Sequence, residues 1–406
     1  MGFFLPEQKE VLHLIHRNDD LFEDMVGFLS GPFDDFVTSE VAPKADLHDR
    51  EEIFNEAGFH ALGELGFMAI PFAEEYGGMG ACFSYYNAAL ETLAKADARF
   101  ALGVAIHGIM SDGIARFGSD ELKARFVPDL ISGRRIGAFA LSEAGSGSDA
   151  KAMKTTYHHD KAAGEYVLNG TKYWITNALS AEVFFVMAKG PDGRVSSFVV
   201  ERGGKGTFEQ AKIPDKMGVR GSNTAELVFE DYRIPEENLV GHHGRGFNYA
   251  MHMLNGGRVT IAAWSTGVGQ GAFEKLMTYA HERELFGKHL KDLDVIRYEM
   301  SQMAIDLSAA RNLSYQAAFT KSAGLELAER AAMAKVFASE TAVKVSERAI
   351  ELAGGYGYVQ DSRIERHLRD ALLARIGEGA NEVLRAVVIP RILLRKFETR
   401  GPMPLW

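Results

Sequence analysis

The sequence predicts a mainly α protein with a central β domain: an N-terminal helical domain over 1–138, a small β-sandwich or barrel over 139–240, and a C-terminal helical bundle domain of about four main helices over 241–406. Two observations carry the prediction. Apolar residues recur at helical spacing through both ends of the chain, whereas the middle consists of short β-type runs separated by turn residues. A length of 406 residues is ample for more than one hydrophobic core.

In the N-terminal part, Glu51 to Leu65 places Ile53, Phe54, Ala57, Leu62 and Leu65 largely on one face, and Gly66 follows as a stop. Ser84 to Ala96 and Phe100 to Phe117 read as two further helices, the second poor in charge and therefore expected to be buried. Ser119 with Asp120 and Glu121 starts another with an N-cap and early acidic residues. Pro128 suits the first turn of a short helix ending at Gly133. In the middle part, Asn169-Gly170 between Tyr166-Val167-Leu168 and Lys172-Tyr173-Trp174-Ile175 predicts a tight hairpin. Val183 to Ala188, Ser197 to Val200 and Ala225 to Phe229 add strands, and Pro235 with Gly241, Gly244 and Gly246 marks the exit. Beyond it, Phe247 to Glu282, Val295 to Ser322 and Leu325 to Leu352 read as long helices with short connections, the pattern of a bundle. Two more helices, Arg363 to Leu373 and Asn381 to Leu394, flank Gly377-Glu378-Gly379.

Composition narrows the partners. A net charge of −10 argues against a broad nucleic-acid or anionic-membrane footprint, leaving room for a local basic pocket. The single cysteine, Cys82, can form no intramolecular disulfide, and no metal-ligand spacing of Cys and His is visible, so no metal is expected. The acidic start lacks the cationic and apolar regions of a secretory signal, and no apolar run is long enough to span a bilayer. These features predict a reducing, cytoplasmic setting of bacterial type; a mitochondrial matrix after processing is compatible with them too.

Three stretches offer chemistry. Ala140 to Asp149 is dense in serine and glycine, which supply close backbone approach and N–H and O–H donors for a phosphate or a flavin edge, although the local pattern taken alone favours a solvated loop. Trp174-Ile175-Thr176 puts an aromatic plane beside a hydroxyl at a strand end, which serves a stacked ring or an ordinary core tryptophan. Glu378 between two glycines is either a carboxylate open to a ligand or the residue that precedes and caps the next helix.

Together with Arg283, Phe286-Gly287, Gly354-Gly355-Tyr356-Gly357-Tyr358, Arg369-Asp370 and Glu378-Gly379, these stretches follow the order found in acyl-CoA dehydrogenases, which the chain resembles from Glu51 to about Arg395. The resemblance implies an oxidoreductase acting on a CH–CH bond in fatty acid β-oxidation, with FAD bound non-covalently between the β domain and the bundle. It implies a homotetramer, a dimer of dimers in which a neighbouring subunit completes each site, and electron-transfer flavoprotein as the acceptor. On that pattern Phe139, Leu141, Ser142, Trp174 and Thr176 face the flavin, with Thr176 near its N5. Arg283, Phe286, Glu351, Gly354 and Gly355 hold the adenine and pyrophosphate side across the dimer interface. Ser148, Asn255, Arg258 and Gly379 belong to the acyl-CoA side. The family's base falls on Glu378, which removes the α-proton while the β-hydrogen passes as hydride to flavin N5, giving a trans-2-enoyl-CoA. A backbone N–H at the base residue and a ribityl hydroxyl polarise the thioester carbonyl. Desolvation is expected to raise the pKa of Glu378.

The chain departs from the pattern at several positions. Gly377 stands for a tyrosine, Ala380 for a threonine, Asp294 and Glu351 for glutamines, and Asn255 for an acidic residue. The minority base position beside Arg258 offers only Asn255, Gly256, Gly257 and Val259, none able to take a proton. Ala105 to Gly108 is expected at the floor of the acyl cavity, Gly108 favouring depth, with His107 a hydrogen-bonded core residue. The alternatives are an acyl-CoA oxidase or other oxygen-using flavoenzyme of the same fold, and a non-catalytic acyl-CoA-binding relative.

Overall fold

The computed structural model describes residues 2–401. Met1 and residues 402–406, the extremes of the first and last predicted parts, lie outside the described residues.

The chain begins with five helices, α1 (Pro6–His16), α2 (Phe22–Ser30), α3 (Pro32–Phe36), α4 (Ala45–Arg50) and α5 (Glu56–Glu64), followed by α6 (Phe83–Ala96), α7 (Ala98–Phe117) and α8 (Asp120–Ile131). Local chemistry sets their starts. The Asp97 carboxylate accepts the N–H groups of Arg99 and Phe100 to cap α7, and the Ser119 hydroxyl accepts that of Leu122 to cap α8. The helix expected over 51–65 starts only at Glu56, because Asn55 caps it and Glu52 sits at φ 53°, outside any helix. Pro128 opens no new helix either. It lies inside α8, which ends at Ile131.

Seven strands, β1 (Gly137–Ala140), β2 (Thr156–Asp160), β3 (Glu165–Ile175), β4 (Val183–Lys189), β5 (Val195–Glu201), β6 (Thr207–Lys212) and β7 (Ala225–Pro235), form one curled sheet. Its order is β1-β4-β2-β3-β7-β6, with β5 on β4; β1 and β4 run parallel, while β2–β3, β3–β7, β4–β5 and β6–β7 are antiparallel. The predicted Asn169-Gly170 hairpin is not formed. Both residues lie inside β3, where the register against β7 slips between Leu168 and Gly170. Asn169 uses its side chain to bond the Asp231 N–H at 2.8 Å, and Gly170, at φ 140°, passes so close to Thr155 that a Cβ would stand 2.6 Å from its Cα. Asn-Gly thus makes a bulge, and the chain reverses between β2 and β3 instead, with Gly164 at φ 67°.

The C-terminal part comprises α9 (Gly246–Glu282), the small hairpin β8 (Glu284–Leu285) and β9 (Lys288–His289), α10 (Asp294–Ser322), α11 (Ala328–Ala353), the single turn α12 (Gly355–Tyr358) and α13 (Glu365–Ile376). After the Glu378 loop, α14 (Asn381–Val383) continues through a π-helical stretch, Leu384–Val388, into α15 (Ile389–Arg400). Half of the buried residues of α11 are alanine, so α9 approaches closely: a Cβ on Gly269 would lie 3.2 Å from the Ala342 Cα. α9 also packs on α6, α7 and α10, and α13 lies against α9 and α11. One hydrophobic core therefore runs from the N-terminal helices through the sheet into the bundle.

Two contacts fix α13 as it leads to Glu378. The buried Asp370 carboxylate accepts the Val219 N–H at 2.6 Å, tying the helix to the connection between β6 and β7. Arg369 pairs with Asp49 at 2.6 Å, and Asp49 in turn meets Arg99 at 3.1 Å. Among the described residues, no helix is long and apolar enough to cross a membrane.

Candidate active site

The loop joining α13 to α14 carries Glu378. Gly377 sits at φ −67°, open to any residue, so the turn is borne by Glu378 itself at φ 54° and by Gly379 at φ 96°. Glu378 does not cap the next helix; Ala380 occupies that place without a side-chain bond. A left-handed non-glycine residue costs roughly 1–2 kcal/mol and persists where its surroundings hold it. Here they do. Arg258 of α9 donates from Nε to the Glu378 carbonyl at 3.2 Å, and Lys335 of α11 donates from Nζ to the Gly379 carbonyl at 2.7 Å.

The carboxylate itself lies against α9 at Gly257. A Cβ on Gly257 would stand 2.5 Å from Glu378 Oε2 and 2.9 Å from Ile109 Cδ1, so the missing side chain is what admits the carboxylate. Oε2 is buried and has no hydrogen-bond partner among the described residues. Desolvation pushes the Glu378 carboxyl up from 4.5 to about 7, against the opposing pull of Arg258 and Lys335. The N–H groups of Glu378, Gly379 and Ala380 make no hydrogen bond among the described residues. A basic carboxylate and free backbone donors thus share one loop.

Ile109 also lines a cavity with Phe83, Tyr86, Asp112, Gly256 and Lys321, whose free volume is about 20 Å³. That is room for about one water molecule. Gly108 does not deepen it, contrary to expectation, because a Cβ there would meet the Tyr86 hydroxyl at 2.5 Å. Tyr86 fills the space that glycine leaves. His107 is a core residue as expected: its Nε2 bonds the Leu130 carbonyl at 2.9 Å, its Nδ1 accepts the Gly137 N–H at 3.0 Å, and burial lowers it to about 4. Lys321 and Asp112 pair at 3.3 Å on the cavity wall.

The remaining predicted residues fall into two groups. Phe139 in β1, Leu141 and Ser142 just beyond it, and Trp174 and Thr176 at the end of β3 lie together, joined by the Tyr173 N–H to the Ser142 carbonyl at 2.9 Å. Trp174 stands at φ 63°, 57% exposed, while Asn177 anchors the turn by donating to the carbonyls of Gly103 and Gly137. Ser148 is exposed on the serine/glycine loop, where a Cβ on Gly145 or Gly147 would meet nothing within 4 Å. Arg283, Phe286, Glu351, Gly354 and Gly355 gather at the far ends of α9 and α11, where Tyr279 stacks on Tyr356 at 4.6 Å. One chain does not bring this second group to Glu378: Lys335 and Ala353 are separated by about 27 Å of helix rise. Phe286 is 93% exposed at φ 53°, and both glycines face open space. The Glu351 carboxylate is bonded by Arg348 at 2.6 Å, and Asp294 lies 3.8 Å from Arg297. Asn255 accepts from Arg258 Nη1 at 2.7 Å, holding the guanidinium beside the loop.

Four residues escaped the reading of the sequence: Lys335, Asn381, Gly257 and Glu143. Lys335 was visible as a lone cation on the alanine stripe of α11, and Gly257 as a glycine inside a long helix. Glu143 is buried in the serine/glycine loop, accepting the N–H groups of Lys154 and Thr155 and the Lys172 ammonium at 2.9 Å. No group of His, Cys, Asp and Glu suited to a metal ion occurs among the described residues.

The chain matches the family models for the N-terminal domain of acyl-CoA dehydrogenase over residues 30–134, the middle domain over 138–232 and the C-terminal domain over 244–393. It is 39% identical to the human short-chain specific mitochondrial acyl-CoA dehydrogenase, over 96% of this chain and 94% of that protein. The structure of butyryl-CoA dehydrogenase from Megasphaera elsdenii superposes with a TM-score of 0.87 at 34% identity, covering 96% of this chain and 99% of the other. An acyl-CoA dehydrogenase from Bacillus anthracis complexed with FAD gives a TM-score of 0.87 at 32% identity, over 94% and 69% of the two chains. With three successive domain models matched and relatives of this identity along nearly its whole length, the chain belongs to the acyl-CoA dehydrogenase family.

Proposed function

We propose that this chain removes the α-proton of an acyl-CoA thioester through Glu378 during FAD-dependent α,β-dehydrogenation to a trans-2-enoyl-CoA. The observation that carries the reading is the buried, unpartnered Oε2 of a carboxyl raised to about 7, on a loop whose own N–H groups are free. A weakly acidic α-proton requires such a base close by, and an N–H of the same loop can take the thioester oxygen as negative charge develops there. Arg258, Asn255 and Gly379 hold the acyl-CoA side of the loop, and Ser148 lies on the open loop suited to its phosphate end.

FAD is the family's cofactor, and the residues present fit it. Trp174 offers an uncovered aromatic face beside the Thr176 hydroxyl, next to Phe139, Leu141 and Ser142. Arg283, Phe286, Glu351 and the open Gly354-Gly355 turn form a second exposed group that would meet the nucleotide of a partner copy. When bound, FAD supplies the acceptor for the β-hydrogen. We further propose a division at 1–138, 139–240 and 241–406, a homotetrameric dimer of dimers, electron-transfer flavoprotein as acceptor and a cytoplasmic setting.

The test is anaerobic bleaching of the flavin by a series of acyl-CoAs, starting with butyryl-CoA, in the parent protein and in Glu378→Gln. The amide cannot accept a proton, so the variant should keep its flavin and ligand affinity and lose turnover by at least about 10³-fold. Turnover within tenfold of the parent would refute Glu378 as the base.

A further inference from the structure

We propose that Lys335 is a positioning residue for the α-proton base: from the interior of the bundle it fixes the attitude of the Glu378 loop and supplies a positive charge behind the carboxylate. The proposal rests on the reading of Glu378 as the base.

Lys335 is a fully buried lysine on the alanine stripe of α11. Its ammonium donates to the Gly379 carbonyl at 2.7 Å and to Asn381 Oδ1 at 2.8 Å, one bond on each side of Ala380. Asn381 is itself locked, donating to Ser339 Oγ at 2.9 Å and Glu340 Oε1 at 2.7 Å. With Arg258 on the Glu378 carbonyl, two cations from two different helices hold two successive carbonyl oxygens. Consecutive peptides held by their oxygens, at positive φ, present their N–H groups on the other side. This explains how a strained non-glycine residue persists at the site, since a buried cation with only backbone and amide acceptors loses much if the loop relaxes.

Electrostatics adds a second effect. The charged groups facing Glu378 are Arg258 from α9 and Lys335 from α11, with Glu382 and Glu340 acting on Lys335 from α14 and α11 and Arg375 of α13 engaged by Glu340 at 2.6 Å. Burial lowers the Lys335 ammonium to about 8, and Glu378 is the largest influence opposing that fall. The two groups therefore hold each other in the charged form.

The measurement is kcat and KM against pH for the FAD-loaded enzyme with butyryl-CoA and a dye acceptor, in Lys335→Met, Lys335→Arg and Asn381→Ala. Losing the charge should move the acidic limb of kcat upward by about one pH unit in Lys335→Met, with little change in KM, and Lys335→Arg should bring the limb back. Asn381→Ala keeps the charge but frees the loop, so kcat should fall several-fold with the limb unmoved. An acidic limb of Lys335→Met at the parent pH overturns the proposal. Should that variant fail to fold, an unchanged kcat in Asn381→Ala overturns it instead. Glu378→Gln separates the two ideas: if it stays active the base assignment fails, whereas if it is inactive and the Lys335 and Asn381 variants behave like the parent, only the clamp fails.

Discussion

Burial of the Glu378 carboxyl comes at the expense of the fold. Its carboxyl titrates at about 7 in the folded chain against 4.5 for an ordinary glutamate. Between those values the folded state binds more protons than the unfolded one, so stability falls as pH rises from 4.5 through 7. The flavin-free Glu378→Gln variant should therefore match the parent near pH 4 and exceed it above pH 7, by at most about 3 kcal/mol. Urea unfolding at pH 4 and pH 8 checks this; equal stability at both would mean the carboxyl is not desolvated. Gly257 supplies the complementary case. Gly257→Ala favours the helix by about 1 kcal/mol, yet its Cβ would displace Oε2 and press on Ile109, so turnover should drop while stability holds. Parallel thermal melts and turnover assays would show it, and undiminished turnover would contradict the packing of the carboxylate on α9.

At the scale of an element, the serine/glycine loop depends on one buried pair. Burial alone would raise Glu143, but Lys172 and the N–H of Lys154 together hold it below the usual carboxylate range, while burial takes Lys172 down to about 8. Glu143→Gln leaves the buried ammonium without its counter-charge, facing neutral acceptors such as the Leu141 carbonyl at 3.0 Å. A cost of about 3 kcal/mol is expected, with faster proteolysis confined to residues 142–155. Uniform destabilisation without local cleavage would place the pair's role elsewhere. This element also shows the limit of reading a pattern locally. Density of glycine and serine marked the stretch, but the carboxylate that organises it carried no signal of its own, because its partners Lys154, Thr155 and Lys172 lie 11, 12 and 29 residues on. The Asn-Gly pair failed for the opposite reason: its backbone freedom was read correctly, and the partner strand decided that it serve a bulge.

Across the whole molecule, the α–β–α order and the long helices were legible because their periodicity is local. Glu378 stood out as a candidate because it is flanked by glycine and set among ordered motifs, and the structure buries its carboxylate without a partner among the described residues. Lys335, Gly257 and Tyr86 were not, since each acts by touching a residue from another helix: Gly379, Glu378 and Gly108 respectively. The sequence spacing of such contacts has a temporal side. Asp49, already paired with Arg99 early in the chain, takes Arg369 as a partner 320 residues later. At about 5–20 residues per second of synthesis, the first helices wait tens of seconds for α13 and the Glu378 loop. A nascent chain would thus present an open seam on α4 and α7 until the 320 residues between Asp49 and Arg369 have been added.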